Sequence, residues 1–271
     1  MNRWLAAGIA VSLLAILLIG GAMAPEHLSS PDLSLAFATP GQLPPFGADG
    51  RGRPLLEYAL QGARVVAAPA VIGGLMVLFL GVVGGLLACT GSSRVEAVVE
   101  GLGEVLGALP RMVVVRIVAL LLPADARGLL PIAVTWAVLS SPGAMDEAAA
   151  VATRLGGARF VEALRAHGFS RARIFLYHIV LLNLRPVVVR QGVEVMMQVV
   201  FLEIALSYLA ISDSQPSFTH ADSVHSWAEI LDLGYKVVLD LPTWHALGLG
   251  LGLMAMVATI SLSVAAAVRA R

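Results

Sequence analysis

The sequence predicts an all-α membrane protein of six transmembrane helices, and three observations carry that prediction. Of its 271 residues 58% are hydrophobic and 13% charged, with a mean hydropathy of +0.85, whereas water-soluble domains are charged at roughly a quarter of their positions. Apolar stretches close to the roughly 20 residues that cross a bilayer as a helix recur along the chain. The basic residues, finally, are distributed unevenly between the loops that join those stretches.

The first span runs from about Leu5 to Met23. It opens with a lone Arg3 and closes on Ala22-Met23-Ala24-Pro25, a mediocre cleavage site, so it is read as a retained anchor rather than a removed leader. Residues 25–62 are polar and proline-broken and form an external loop. Five further spans cover about Ala63 to Ala88, Val98 to Leu122, Leu129 to Ala144, Ile179 to Ile211 and Trp244 to Val268, the third and fourth spans of the chain being joined by a tight turn at Pro123 to Gly128. The chain therefore divides into an N-terminal helix (1–24), the loop 25–62 and a five-helix core (63–271), which carries an inner segment at 157–178 and an outer loop at 212–243.

With the N-terminus inside, the inner loops carry Arg3, Arg94, Arg154, Arg159, Arg165, Arg171, Arg173, Arg269 and Arg271, and the outer ones Arg51, Arg53, Arg127 and Lys236. Positive charge is retained on the cytoplasmic side, which puts both termini there. The 18 basic residues equal the 18 acidic ones, so no nucleic-acid partner is implied. Lys236 is the only lysine and Cys89 the only cysteine. A phosphate-binding G-x-x-x-x-G-K-[ST] loop and an internal disulfide are both excluded.

The inner segment holds most of the readable chemistry. Ala158 to His167 is rich in helix formers, with Phe160, Val161 and Leu164 on one face and Arg159, Glu162 and Arg165 on the other. Gly168 is placed to end this helix in the left-handed conformation, and Ser170 to cap the next. A helix, a glycine turn and a second helix form a compact knob on the inner surface; an amphipathic helix lying in the interface gives a similar pattern.

The string Glu162-Ala163-Leu164-Arg165-Ala166-His167-Gly168, with Ile179 at the eleventh place beyond the glycine and His178 before it, resembles the cytoplasmic EAA loop of permease subunits of binding-protein-dependent ABC importers. It departs at Leu164, where that family has a second alanine, and at Leu181 and Leu182, where the peptide and nickel branch has Pro-Asn. Glu147 to Ala150 spells EAAA but has Thr153 in place of the glycine, and is set aside. Gly47, Asp49, Gly52, Arg53, Gly62, Ala63 and Arg64 are similar to the segment leading into the second span of the dipeptide, oligopeptide and nickel permeases. Glu104 with Ala108-Leu109-Pro110, Pro142-Gly143, Glu203 to Leu209 and Ser226-Trp227 with Leu231 follow that branch in order, with Ser141, Asp146 and Ala228 departing from it.

The resemblance implies a type I importer permease fold, non-enzymatic and without a bound cofactor or metal. It implies a second, homologous permease subunit, cytoplasmic ATPases that use the ATP, and a soluble solute receptor outside, in the inner membrane of a bacterium. Arg159, Phe160, Glu162, Ala163, Leu164, Arg165 and Gly168 are then the ATPase-coupling residues, and peptides, nickel, metal chelates or opines the solutes. A secondary transporter or other polytopic membrane protein acting without an ATPase is the alternative, but a secondary transporter predicts an inverted internal repeat that is not evident here.

Charges inside spans cost on the order of 2.5–3.5 kcal/mol near the bilayer centre. Glu104, Arg111 and Arg116 on the third span and Glu194 and Glu203 on the fifth therefore form either a solute pathway or pairs between helices. Arg185 and Arg190 lie nearer the inner end, where they can snorkel. Trp227, in a short amphipathic stretch of the outer loop, is expected to meet the receptor or gate the outer mouth, or to anchor the loop at the membrane surface. His220, Asp222 and His225 are read as an ordinary loop, not a metal site. The glycine runs Gly101, Gly103, Gly107 and Gly248, Gly250, Gly252 are read as close helix packing.

Overall fold

The computed structural model describes residues 2–88, 93–123, 126–156, 159–170, 173–212, 225–240 and 244–269. Among them all the regular structure is helical: α1 (Arg3–Ala22), α2 (Leu55–Ala88), α3 (Ser93–Ala108), α4 (Arg111–Leu121), α5 (Leu129–Gly156), α6 (Arg159–Ala166), a π-helical segment (Ile174–Leu184) continuous with α7 (Arg185–Ser212), α8 (Trp227–Asp240) and α9 (Trp244–Arg269), with one 3₁₀ turn at Leu33–Leu35. The all-α membrane class is borne out.

Among the described residues four stretches are long and apolar enough to cross a membrane: Arg3–Ala22, Leu55–Gly84, Leu182–Leu209 and Trp244–Val268. The other two expected spans differ. The third, Val98 to Leu122, is two helices broken at Leu109-Pro110, where Pro110 takes ψ 100°. Proline has no N–H to donate, and its ring pushes the preceding residue out of the helical region. The fourth does not stop at Ala144 but runs 28 residues to Gly156, about 42 Å of helix, and its second half carries Asp146, Glu147 and Arg154. The second starts at Leu55 rather than Ala63. Leu55, Tyr58 and Ala59 are buried, so packing recruits residues that polarity alone assigns to a loop.

The core is a slab in which α2 lies between α5 and α7, while α9 packs on α1, α7 and α8. Small residues set its thickness. A Cβ on Gly74 would stand 2.6 Å from the Gly192 carbonyl oxygen, and one on Gly192 would stand 2.7 Å from that of Gly74, so α2 and α7 meet backbone to backbone. Of the two glycine runs expected to pack closely, only Gly103 and Gly250 approach a neighbour; Gly101, Gly107, Gly248 and Gly252 face open space. Polar bonds cross the slab as well: the Trp136 Nε1–H donates to Gln198 Oε1 at 2.9 Å, tying α5 to α7.

The loop before α2 is folded around Asp49. Its Oδ1 accepts from the Arg51 and Arg53 backbone N–H groups, both at 2.8 Å, and its Oδ2 from the Tyr58 hydroxyl at 2.8 Å. Gly52, at φ 75°, is needed because a Cβ there would fall 1.8 Å from the Asp32 carbonyl oxygen.

Candidate functional site

The inner segment forms the expected helix, glycine turn and second helix start. In α6 Val161 is buried at 2% exposure and Leu164 half-buried, while Glu162, Ala163 and Arg165 are exposed. Arg159 and Phe160 belong to α6, but their side chains lie outside the described ones, as do residues 157–158 and 171–172. Two of the expected face residues, Val161 and Leu164, therefore anchor the helix, and Glu162 and Arg165 are presented outward.

The turn closes by a double backbone bond. The Phe169 N–H donates to Leu164 O at 3.1 Å and the Gly168 N–H to Arg165 O at 2.9 Å, with Gly168 at φ 81°. This is the Schellman arrangement, in which the left-handed residue lets the last carbonyls find donors. The cap is reinforced at Ala163 O, which takes the His167 N–H at 3.0 Å and lies 2.7 Å from His167 Nδ1. Ser170 caps the next helix as its position requires, its Oγ accepting from the Arg173 N–H at 3.3 Å. The turn is joined sideways to that helix: the Phe169 ring meets His178 edge-on at 5.9 Å, and the Arg173 guanidinium lies 4.8 Å from the Phe169 centroid. A short, capped, charged helix thus precedes the π-helical start of α7 and is tied to it through Phe169.

That π-helical segment was not legible in the sequence. Its eleven residues end just before Pro186, which has no N–H to offer and whose ring repels the carbonyl four residues back. The Asn183 amide donates to His178 O at 2.6 Å, supplying a bond inside the widened turn.

The five charges that the sequence places inside spans do not form one cluster. Glu104, Arg111 and Arg116 are exposed on the outward side of α3 and α4, where Leu102, Val105, Met112, Val113 and Ile117 are exposed too. No ion pair is formed by these three among the described residues. Glu194 takes a weak bond from Gln198 Nε2 at 3.4 Å, extending the Trp136–Gln198 link. Glu203 is fully buried, its Oε1 accepting from the Ser207 hydroxyl at 2.7 Å. The pairing between helices occurs elsewhere. Arg190 Nη2 lies 2.5 Å from Glu147 Oε1 and 2.6 Å from Oε2, and Gln191 Nε2 donates to the same carboxylate at 2.5 Å. Glu147, set aside as part of a false motif, therefore fixes α5 to α7, and Arg190 pairs rather than only snorkelling.

Trp227 does not lie where the sequence places it. The indole is fully buried, its Nε1–H donating to Ala59 O at 2.9 Å, and it fills the space above Gly62, where a Cβ would come within 2.1 Å of its Cδ1. A tryptophan so enclosed neither touches a receptor nor lies at the membrane surface. Its apolar bulk is satisfied by α2, and its one polar atom by a helix carbonyl. Of the outer loop, residues 213–224 and 241–243, with His220 and Asp222, lie outside the described residues. His225 pairs with Glu229.

No family model matches the chain. Over 237 residues, 86% of this chain and 74% of the other, it is 23% identical to a protein of Escherichia coli described as a probable D,D-dipeptide transport system permease protein. That similarity covers most of the chain and bears out the resemblance to ABC importer permeases of the dipeptide family.

Proposed function

We propose that this chain, a membrane protein similar along most of its length to an importer permease, is the permease subunit of an ATP-driven, receptor-dependent importer of short peptides in the inner membrane. One observation carries the coupling role. The α6 projection is capped at Gly168, buried through Val161 and exposed through Glu162 and Arg165. Its apolar side anchors it to the chain, its outward charges suit a protein cleft, and it leads directly into a core helix. A helix capped at Gly168 and tied through Phe169 to the next helix can pass a displacement on; a helix floating in the interface cannot.

A separate cytoplasmic ATPase drives the cycle. Glu162 and Arg165 make charge-assisted contacts with it, and its closure on ATP moves α6 and, through the Phe169–His178 contact, the start of α7. A second, homologous permease covers the outward side of α3 and α4, because lipid does not accept Glu104, Arg111 and Arg116 at membrane depth. Glu104, Arg111, Arg116, Glu194 and Glu203 are the candidates for lining the solute path. A receptor outside the membrane delivers the peptide, and the resemblance also admits nickel, metal chelates and opines.

Co-purification tests the reading. The full chain, extracted in mild detergent from its own host, is expected to bring down one further permease and an ATPase, and Glu162→Arg is expected to release the ATPase while the permease pair persists. A chain recovered alone and still transporting would establish the secondary-transporter alternative.

A further inference from the structure

We infer that the cleft between the Asp49 loop, the start of α2 and α8 is a binding site for a small zwitterion, a molecule with a free ammonium and a free carboxylate a few ångströms apart. The cleft has a volume of about 390 Å³, within the roughly 300–1,000 Å³ typical of small-molecule sites. Its walls are opposite in sign. Arg51 and Arg53 line it from the loop, and Glu229 and Asp232 from α8, three residues apart and so on one helix face. Tyr58 and His225 lie between the two walls, their rings 5.1 Å apart in an edge contact.

The groups are unequally occupied. Asp49 also borders the cleft but is 5% exposed and committed to the Arg51 and Arg53 N–H groups and the Tyr58 hydroxyl, which makes it a scaffold. Arg53 Nε is buried and has no hydrogen-bond partner among the described residues; buried donors are almost always paired, and a ligand carboxylate supplies the missing acceptor. On the other wall Glu229 meets His225 through one oxygen, Oε2. The His225 backbone N–H is held by Gln61 Oε1 at 3.0 Å, so the acidic wall is fixed to α2 and the charges do not need to be gathered when the ligand arrives. A peptide of two residues carries both signs and, at most about 7 Å end to end, is small enough for a cleft of this volume.

This inference rests on the cleft's own charges and not on the transport reading, because it is read on the purified chain alone. Isothermal titration of the full-length protein in detergent with L-alanyl-L-alanine should give saturable binding. N-acetyl-L-alanyl-L-alanine and L-alanyl-L-alanine amide should each bind about tenfold more weakly or worse, the loss of one charge-assisted contact. Arg53→Gln and Glu229→Gln should weaken the uncapped dipeptide comparably. Arg51→Gln, at an exposed side chain, repeats the test on the basic wall should Arg53→Gln shift thermal melting. No saturable binding by the native chain, equal binding of the capped peptides, or full binding by variants that melt normally would each overturn the site. A chain that binds no dipeptide yet co-purifies with its ATPase would sink the cleft and leave the importer reading standing.

Discussion

Replacing Gly168 isolates the contribution of one backbone angle to coupling. The residue sits at φ 81°, and a Cβ built there meets nothing within 4 Å. Substitution therefore creates no clash, and the cost is the left-handed conformation itself, about 1–2 kcal/mol for an ordinary L-residue. That lowers the population of the capped turn relative to its open forms by a factor of about 5–30. Valine should cost more than alanine, because branching at Cβ makes positive φ a genuine outlier, and asparagine less, because its short polar side chain visits this region routinely. Peptide uptake by the assembled transporter in vesicles should fall in the order Gly168, Gly168→Asn, Gly168→Ala, Gly168→Val, with the amount of chain in the membrane unchanged. Uptake by Gly168→Val equal to that of the native chain, or equal impairment by asparagine and valine, would refute the claim that a left-handed cap at this position sets the α6 projection.

Three further outcomes are expected. Gly62→Ala puts a methyl 2.1 Å from Trp227 Cδ1 and should cost about 1–3 kcal/mol by overpacking; Trp227→Phe, which removes the bond to Ala59 O, should cost about 1 kcal/mol for that bond, both read as lowered melting temperatures in detergent. Arg190→Ala and Glu147→Ala should each destabilise by roughly 1 kcal/mol, the pair being more than a third exposed, and the double variant should be less damaged than the two losses combined, as a double-mutant cycle will show. A reporter fused after Arg271 should read as cytoplasmic, and an external signal would contradict the orientation drawn from the basic residues.

What was legible in the sequence was whatever depends on near neighbours. Gly168 and Ser170 do what their chemistry requires within a few residues of chain, and both caps are found where the residues place them. The membrane class followed from bulk composition. The fate of Trp227 did not, because it is decided by the absence of a side chain at Gly62, 165 positions earlier; polarity on either side of Trp227 pointed to a surface. The glycine spacing of α3 and α9 looked like a packing motif, yet of those six glycines only Gly250 makes a contact as close as the one between Gly74 and Gly192. Glu147 shows the opposite failure: judged by motif it was dismissed, although its carboxylate is the one held by Arg190 and Gln191. The break at Pro110 was visible as a turn residue, but a run of apolar residues on both sides of it suggested a single span.

The reciprocal contact of Gly74 and Gly192 bears on which parts can move. Between most packed helices a layer of side chains acts as a cushion, and rotamer changes let one helix roll or slip past its neighbour. Here that cushion is missing, so a rotation of α7 about its own axis, or a slide by one residue, drives a carbonyl of one backbone into the other. The bond from Trp136 to Gln198 and the clamp on Glu147 add α5 to the same plank. In the proposed importer a displacement delivered to α7 would therefore move α2 and α5 with it as one body, and the chain's own break at Pro110 leaves α3 and α4 as two separate helices laid against α5 rather than as part of that body.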